Sequence, residues 1–259
     1  CESHHNVTPG TGDGGGFDID GGCTNCRIEY CYSHDNEGGG FMAFAFSGSG
    51  GITNAVIRYC ISENDGSVGF QYGGLSVGTE NAATDPVDVT FHNNTVYQSI
   101  DGRAALSLVL PNEVSAKFYN NIVYAATNQF TYLISAYDDG GTVVGWTLKG
   151  NLYYAPVGVQ IYWGTTTYTS IAAWRTATSQ ETDGGNVSVT GNPLVASAGS
   201  GGTTNGYNPN MAAYRLSAGS PAFAAGLDLG SKFGISLGGS DFYGRPVTAG
   251  SRDIGAYAA

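Results

Sequence analysis

Apolar and polar residues alternate over short stretches that recur through the first 155 residues of the chain, and a turn rich in Gly, Asn and Asp follows most of them. A period of two with many β-branched and aromatic residues predicts strands, because successive side chains of a strand point to opposite faces. Five of these stretches align with one another: TNCRIEYCYSHDN from Thr24, TNAVIRYCISEND from Thr53, DVTFHNNTVYQ from Asp88, SAKFYNNIVYA from Ser115 and GWTLKGNLYYA from Gly145.

The aligned stretches share a Cys or Asn that stands three residues after a large apolar residue. Together with the Cys that opens the chain, these positions are separated by 30, 29, 34, 27 and 30 residues: Cys1, Cys31, Cys60, Asn94, Asn121 and Asn151. A repeat of this length predicts stacked units, none of which can bury its apolar face alone. A propeller blade would need about 40 residues or more. The sequence therefore predicts an all-β fold, a parallel β-helix of about six coils of 27–34 residues.

The last part of the chain differs in character. We assign residues 1–165 to the coils, and residues 166–259 to the last coil and an irregular C-terminal cap of the same domain, since a solenoid needs a cover for its end. The stretch TSIAAWRTATSQ, from Thr169 to Gln180, is the best candidate for a short helix. Because the chain opens within a repeat, we also expect further coils upstream.

The recurring amides carry a family resemblance. Asn94, Asn121 and Asn151 resemble the Asn ladder of right-handed parallel β-helix proteins of the pectate-lyase-like superfamily. Two later segments, Tyr168 to Val195 and Tyr214 to Ala259, are similar to the closing segments of secreted bacterial β-helix proteins. This resemblance implies a secreted, extracellular protein and a right-handed β-helix. The superfamily includes polysaccharide lyases, glycoside hydrolases, uronan epimerases and adhesins without catalysis, so the fold alone does not select an activity.

The amino-acid composition limits the kinds of molecule that the protein is expected to bind. Acidic residues outnumber basic ones by 21 to 10, and the formal net charge is −11, which excludes the basic patches that nucleic-acid binding requires. No apolar run is long enough to span a membrane. The acidity is consistent with solubility outside the cell or with carboxylates gathered around a cation. The five Cys residues leave at least one thiol without a partner in this chain, and both disulfides between neighbouring rungs and buried free thiols remain open.

The segment GFDIDGG contains the strongest acidic cluster. Alternation should bury Phe17 and Ile19 and turn Asp18 and Asp20 outward, where two carboxylates on one face repel each other unless a cation compensates. The predicted Ca²⁺ ligands are Asp13, Asp18, Asp20, Asp35 and Glu37. Resemblance adds to this prediction, since calcium-dependent pectate lyases carry Asp and Glu on the strand after this kind of loop. The alternative is that these acids only cap their own turns.

The register also predicts a catalytic group. His4 and His34 should lie side by side on neighbouring coils, and either is a candidate base, while Asp18 and Asp20 could act as an acid and base pair in a glycoside hydrolase. The predicted substrate-binding residues are Glu37, Arg58 and Phe44.

A second outward column is predicted on another strand and contains titratable groups of mixed type: Glu29, Arg58, His92, Tyr119 and Lys149. A solvated face with pairs such as Glu29–Arg58 is the favoured interpretation of this column.

Two functions remain open at this level. The first is a secreted enzyme on acidic or plant-type or algal polysaccharide, most plausibly a Ca²⁺-assisted lyase, or a related glycoside hydrolase. The second is a non-catalytic extracellular protein of structural, filament or adhesion type, whose coils could associate end to end with another copy. Loss of turnover on metal removal separates the first function from the second.

Overall fold

The chain folds into a parallel β-solenoid of about five turns, which confirms the predicted fold class. The computed structural model describes residues 1–8, 13–68, 72–108, 114–126, 131–137, 143–183, 186–187 and 189–258. Each turn contributes one strand to each of three sheets, and neighbouring turns pair in parallel. Within the described residues five turns are complete in all three sheets, and the third sheet ends at Trp146–Lys149.

The three sheets and the smaller elements have the following bounds. The first sheet contains Glu2–His4, Tyr32–His34, Ile61–Glu63, Thr95–Gln98, Ile122–Ala125, Leu152–Tyr154 and Val189–Thr190. The second contains Phe17–Asp20, Phe41–Ala45, Gly73–Thr79, Ala104–Leu108, Tyr132–Tyr137, Ile161–Gly164 and Thr166–Tyr168, the last of which is antiparallel to its neighbour. The third contains Arg27–Glu29, Ile52–Arg58, Val87–His92, Ser115–Tyr119 and Trp146–Lys149. Thr182–Asp183 pairs with Asn186–Val187, and the helices are Ile171–Thr178 and Leu229–Phe233.

The third sheet has the register that the repeat predicts. The apolar residue of each repeat pairs with its counterpart in the next turn, in the order Ile28, Ile57, Phe91, Phe118 and Leu148. All but the first of these side chains are fully buried. The two phenyl rings stack with centroids 4.8 Å apart and planes within 3° of each other. The spacing of the repeats thus places like side chains on like, and their stack forms the centre of the core.

The corner between the third and first sheets is built on left-handed backbone. Tyr30, Tyr59, Asn93, Asn120 and Gly150 occupy this corner in successive turns, with φ between 48° and 69°. Asn and Gly adopt this conformation readily, whereas a bulky Tyr does so only where its surroundings hold it there. Tyr59 is 1% exposed and packs with the C-terminal residues Leu227 and Leu237, which supply that restraint.

The predicted Asn ladder follows immediately after this corner. The side-chain oxygen of Asn121 accepts the backbone N–H of Asn94 at 2.9 Å, and Asn151 does the same for Asn121 at 2.8 Å. Each amide nitrogen in turn donates to a backbone carbonyl one coil back, as Asn121 does to Phe91 at 3.0 Å. Glu181 ends the ladder by accepting from the Asn151 amide at 2.6 Å. Buried polar groups at this corner are therefore satisfied from turn to turn.

The C-terminal segment covers more than the last coil, which differs from the predicted cap. Helix Ile171–Thr178 lies within the predicted stretch, is capped by the Ser170 side chain, and buries Trp174 against the end of the solenoid. The residues beyond it run back along the flank to the first turns. They pack on the outer face of the first sheet through Tyr214 and Phe242, and on the third sheet through Leu227 and Leu237. No helix within the described residues is long and apolar enough to cross a membrane.

A buried carboxylate fastens this segment to the first sheet. One oxygen of Glu63 accepts from the Tyr214 hydroxyl at 2.6 Å, from the Tyr32 hydroxyl at 3.0 Å and from the Gly201 amide at 3.0 Å. We expect Tyr214→Phe to lower the free energy of unfolding by about 2 kcal/mol, because it removes a buried hydrogen bond to a charged group. Equilibrium unfolding in urea, followed by circular dichroism, measures the effect. An unchanged unfolding midpoint would show that this contact does not fasten the segment.

Candidate functional site

An acidic edge lies at the first strand of the second sheet. In Phe17–Asp20, Ile19 is 4% exposed while Asp18 and Asp20 are exposed, which confirms the predicted alternation. The ring of Phe17 stacks on that of Phe41 in the next turn, with centroids 5.3 Å apart. This packing fixes the strand, so that both carboxylates point away from the core. Their α-carbons are about 6.6 Å apart, since they stand two residues apart on one strand.

Asp13 is a third carboxylate, and its negative charge acts on both Asp18 and Asp20. Loss of hydration, together with the negative charges of Asp20 and Asp13, raises the pKa of Asp18 to about 7, although the residue is exposed at the sheet edge. The same loss of hydration and the charge of Asp13 raise the pKa of Asp20. The negative charge of Asp13 thus disfavours the ionisation of Asp18 and Asp20, and either a proton or a cation relieves the repulsion.

Aromatic side chains stand beside the acids. Phe44, a predicted substrate-binding residue, pairs with Asp20 on the next strand and is half-buried, and Phe46 beyond it is 46% exposed. Loss of hydration and the charges of Asp13 and Asp18 raise the pKa of Tyr72, which places its phenol close to the acidic edge. Exposed rings next to polar groups are the usual surface for stacking on sugars.

The placement of Tyr72 depends on a register that the repeat misassigns. The phrases CYSHDNEGGGF and CISENDGSVGF align Phe41 with Phe70, whereas the structure pairs Phe41 with Leu75. Phe70 lies outside the described residues. Fifteen residues separate Cys60 from Leu75 and ten separate Cys31 from Phe41, so the third turn has a longer loop. The spacing from Cys60 to the Gly-Gly pair before Leu75 was the signal that could have revealed this loop.

The open part of this face is limited to its end. The residues that follow Asp18 across the second sheet are Met42, Ser76 and Ser107. All three are buried, and the two Ser hydroxyls hydrogen-bond to each other at 2.9 Å. A ligand can therefore reach the sheet near Asp18 and Asp20, and not along its whole length.

The five predicted calcium ligands do not gather in one place. Asp35 turns its carboxylate to His34, at 2.8 Å from the ring Nδ1, and Glu37 accepts the backbone N–H of Thr8 at 2.7 Å. Asp13, Asp18 and Asp20 remain together at the acidic edge. Among the described residues, however, the one group of acidic, His or Cys side chains that brings three ligand atoms within 4.8 Å is Glu2, His4 and His34.

The two candidate bases lie in the first sheet and not at the acidic edge. His4 pairs with His34 and His34 with Glu63, as the register predicts, and the two imidazoles stack with centroids 4.8 Å apart. The His34 side chain is 1% exposed, and its two nitrogens face Asp35 and Glu2. The structure thus gives His34 no contact with solvent, and it separates both His residues from Asp18 and Asp20.

The predicted outward column is aligned, but it is not solvated. Arg58 pairs with Glu29 at 2.7 Å, as expected, yet its side chain is 5% exposed. It also donates to the Ser236 carbonyl at 2.5 Å, which lies 178 residues away in the C-terminal segment. His92 and Tyr119 are buried as well. The expectation of a solvent-facing column was wrong because the C-terminal segment covers this sheet, and Arg58 is engaged within the protein rather than open to substrate.

Neither the comparison with protein-family models nor the comparison with curated proteins finds a match for this chain.

All five Cys residues are free thiols: Cys1, Cys23, Cys26, Cys31 and Cys60.

Proposed function

We propose that the protein is an extracellular polysaccharide-cleaving enzyme whose site is the acidic edge, most plausibly a Ca²⁺-assisted lyase on acidic glycans. One observation carries this proposal: Asp13, Asp18 and Asp20 gather at the open end of a rigid sheet with Phe44 and Tyr72 beside them. Rigid β-scaffolds with polar groups and aromatic rings at an open edge are suited to binding an extended sugar chain.

The donor chemistry of this edge suits calcium. Ca²⁺ takes oxygen ligands, and carboxylates that repel one another provide them. Asp18 and Asp20 would hold the ion, with Asp13 adding charge, and oxygens of a uronate would complete its coordination. A bound cation neutralises the sugar carboxylate and so acidifies the neighbouring C–H. An acidic glycan would otherwise be repelled by a protein of net charge −11.

The chain's own residues orient the sugar. Phe44 offers a ring face next to Asp20, and the phenol of Tyr72 lies near Asp13 and Asp18, where it can donate a hydrogen bond to a sugar oxygen or to a leaving group. The spacing of Asp18 and Asp20 supports glycoside hydrolysis as a second candidate. Their α-carbons are about 6.6 Å apart, a spacing from which the two carboxyl groups can take up the roughly 5–9.5 Å at which such groups act as acid and base.

The test is turnover of a panel of acidic and neutral polysaccharides, with calcium and with chelator. We expect ultraviolet absorbance from unsaturated uronates that disappears with chelator. Asp18→Asn combined with Asp20→Asn should lower the rate at least about 100-fold, since it removes the groups that would hold the cation. Asp88→Asn is the matched control, because Asp88 is a partly exposed acid on the third sheet and pairs with Lys117.

The other outcomes discriminate between the candidates. New reducing ends without ultraviolet absorbance would identify a hydrolase at the same edge. Absence of both signals, with all variants folded, would overturn catalysis and favour the extracellular structural, filament or adhesion protein. In that case sedimentation at increasing concentration would test end-to-end self-association.

A further inference from the structure

A second cluster of ligating side chains lies in the first sheet, apart from the acidic edge. Glu2 and His4 belong to its first strand and His34 to the next, where His4 and His34 are paired. Each of the three side chains offers one ligand atom, and these atoms lie within 4.8 Å of one another. The cluster mixes one carboxylate with two imidazoles, which is a different donor set from the three carboxylates of the acidic edge.

Asp35 orients the buried imidazole as an outer-shell carboxylate does in metal sites. It lies 2.8 Å from His34 Nδ1, while Nε2 lies 3.2 Å from Glu2 Oε1. When Nδ1–H donates to Asp35, the Nε2 lone pair faces a carboxylate oxygen, and either a second proton or a cation must separate them. Metal-bound His residues commonly donate their other N–H to a carboxylate in this way.

Glu2 is fixed before any ligand arrives. Its two oxygens accept the backbone N–H groups of Thr204 and Gly206, each at 2.6 Å, and its side chain is 3% exposed. His4 is restrained on its other side by His5, since their Nδ1 atoms lie 2.7 Å apart and His5 holds left-handed backbone with φ of 53°. A hydrogen bond through that nitrogen leaves the second nitrogen of His4 for a ligand.

We propose that Glu2, His4 and His34 form a binding site for a divalent transition-metal ion of the zinc class, with Asp35 as a positioning residue. Two imidazoles and one carboxylate are a set that Zn²⁺ and Co²⁺ prefer, and that Ca²⁺ does not. Two ligands at about 2.1 Å from a tetrahedral ion are about 3.4 Å apart. The three ligand atoms, which lie within 4.8 Å of one another, therefore move closer together on binding. Three protein ligands leave a fourth position for water.

The test uses the full chain, freed of metal by a chelator and then titrated with Zn²⁺ against a chromophoric competitor. The five free thiols are the rival ligands, and Cys23-x-x-Cys26 is the strongest of them. The titration is therefore repeated in a Cys23→Ser and Cys26→Ser background. We expect one Zn²⁺ per chain in both proteins. Co²⁺ should give tetrahedral absorption bands without thiolate-to-metal charge transfer.

Substitutions of His4 and Asp35 test whether the ion binds at this cluster. His4→Ala should weaken Zn²⁺ binding more than about 100-fold, and Asp35→Asn should weaken it about 10- to 100-fold, as loss of an outer-shell partner does. His4 is only partly buried, so its loss leaves the buried His34 in place and the variant should fold. Asp88→Asn should bind Zn²⁺ as the parent does. Unchanged affinity in His4→Ala, or a thiolate band with Co²⁺, would overturn the proposal whatever the polysaccharide assays show.

Discussion

Replacing Asn121 with Leu is expected to lower the free energy of unfolding by about 4 kcal/mol. Leu has the same branching and the same number of heavy atoms as Asn and leaves no cavity, so the main loss comes from hydrogen bonding. The change removes the acceptor for two Asn94 groups, the backbone N–H at 2.9 Å and the side-chain amide at 3.0 Å. It also leaves the Phe91 carbonyl and the Asn151 side-chain oxygen without the Asn121 amide donor. Each orphaned buried group costs about 1–3 kcal/mol.

Equilibrium unfolding in guanidinium, followed by far-ultraviolet circular dichroism, measures this loss. The matched control is Asn54→Gly. Asn54 donates to Asn25 at 2.7 Å between neighbouring turns, but the pair is exposed, and Gly accepts the left-handed backbone of Asn54. We expect this control to change the stability by less than about 1 kcal/mol. Equal effects of the two substitutions would mean that the buried ladder contributes no more than a surface contact.

The ladder is also the clearest case of structure that the sequence predicts. Strands in successive coils contain the same residue types at a spacing of about 30, and a solenoid stacks these like residues on one another. The same logic correctly placed His4 against His34 and Asp18 beside Asp20 on an open face. In each case the neighbour lies one repeat away, so local alternation and spacing are sufficient.

The C-terminal segment could not be placed in this way. Its contacts join residues more than 100 positions apart, as between Asn120 and Leu227, whose amide and backbone groups exchange hydrogen bonds at 2.9 Å. It contains no repeat that would set a register. Strand alternation therefore predicted that Arg58 faces solvent, whereas in the structure its guanidinium donates a hydrogen bond to the Ser236 carbonyl. The polar residues of a strand are exposed to solvent only where no later segment of the chain packs on them.

Loop length was the second source of error, and it affected the candidate site. The acidic residues of Phe17–Asp20 follow from alternation, but the neighbouring Tyr72 depends on a longer loop in the third turn. Aligning the phrases by their Gly-Phe ends conceals that loop, because the true partner of Phe41 is Leu75. Strand registers are predictable from repeats, whereas the loops that add side chains to a site have no comparable constraint.

The second large effect is expected from replacing Asp65, a buried acid just after the first-sheet strand Ile61–Glu63. Asn6, Asn36 and Asp65 occupy equivalent positions in the first three turns, and Asp65 Oδ1 accepts the Asn36 side-chain amide at 2.8 Å. In the first two turns the amide nitrogen donates to a Ser hydroxyl, from Asn36 to Ser33 at 3.0 Å. In the third turn the direction reverses, and the Ser62 hydroxyl donates to Asp65 at 2.6 Å. Asn at this position would restore the pattern of the other two turns.

Asp65→Asn is therefore expected to stabilise the protein at about pH 8 and to leave it unchanged near pH 4. Burial raises the pKa of Asp65 from 3.8 to about 7, against the opposing hydrogen bonds from Ser62 and Asn36. Between these values the folded protein holds a proton that the unfolded chain releases, so the stability of the parent falls as the pH rises from about 4 to about 7. A shift of about three units corresponds to about 4 kcal/mol, which is the upper bound for the gain in the variant.

The measurement is guanidinium unfolding of parent and variant in chelator at several pH values between about 4 and 8. The difference between the two proteins isolates Asp65, because groups common to both cancel. Glu181 and Asp18 are the main ones, since loss of hydration raises the pKa of each to about 7 as well. Asp88→Asn, which replaces a partly exposed acid paired with Lys117, should show no comparable gain with rising pH. A variant that is less stable than the parent at about pH 8 would mean that the Ser62 hydrogen bond outweighs the buried charge.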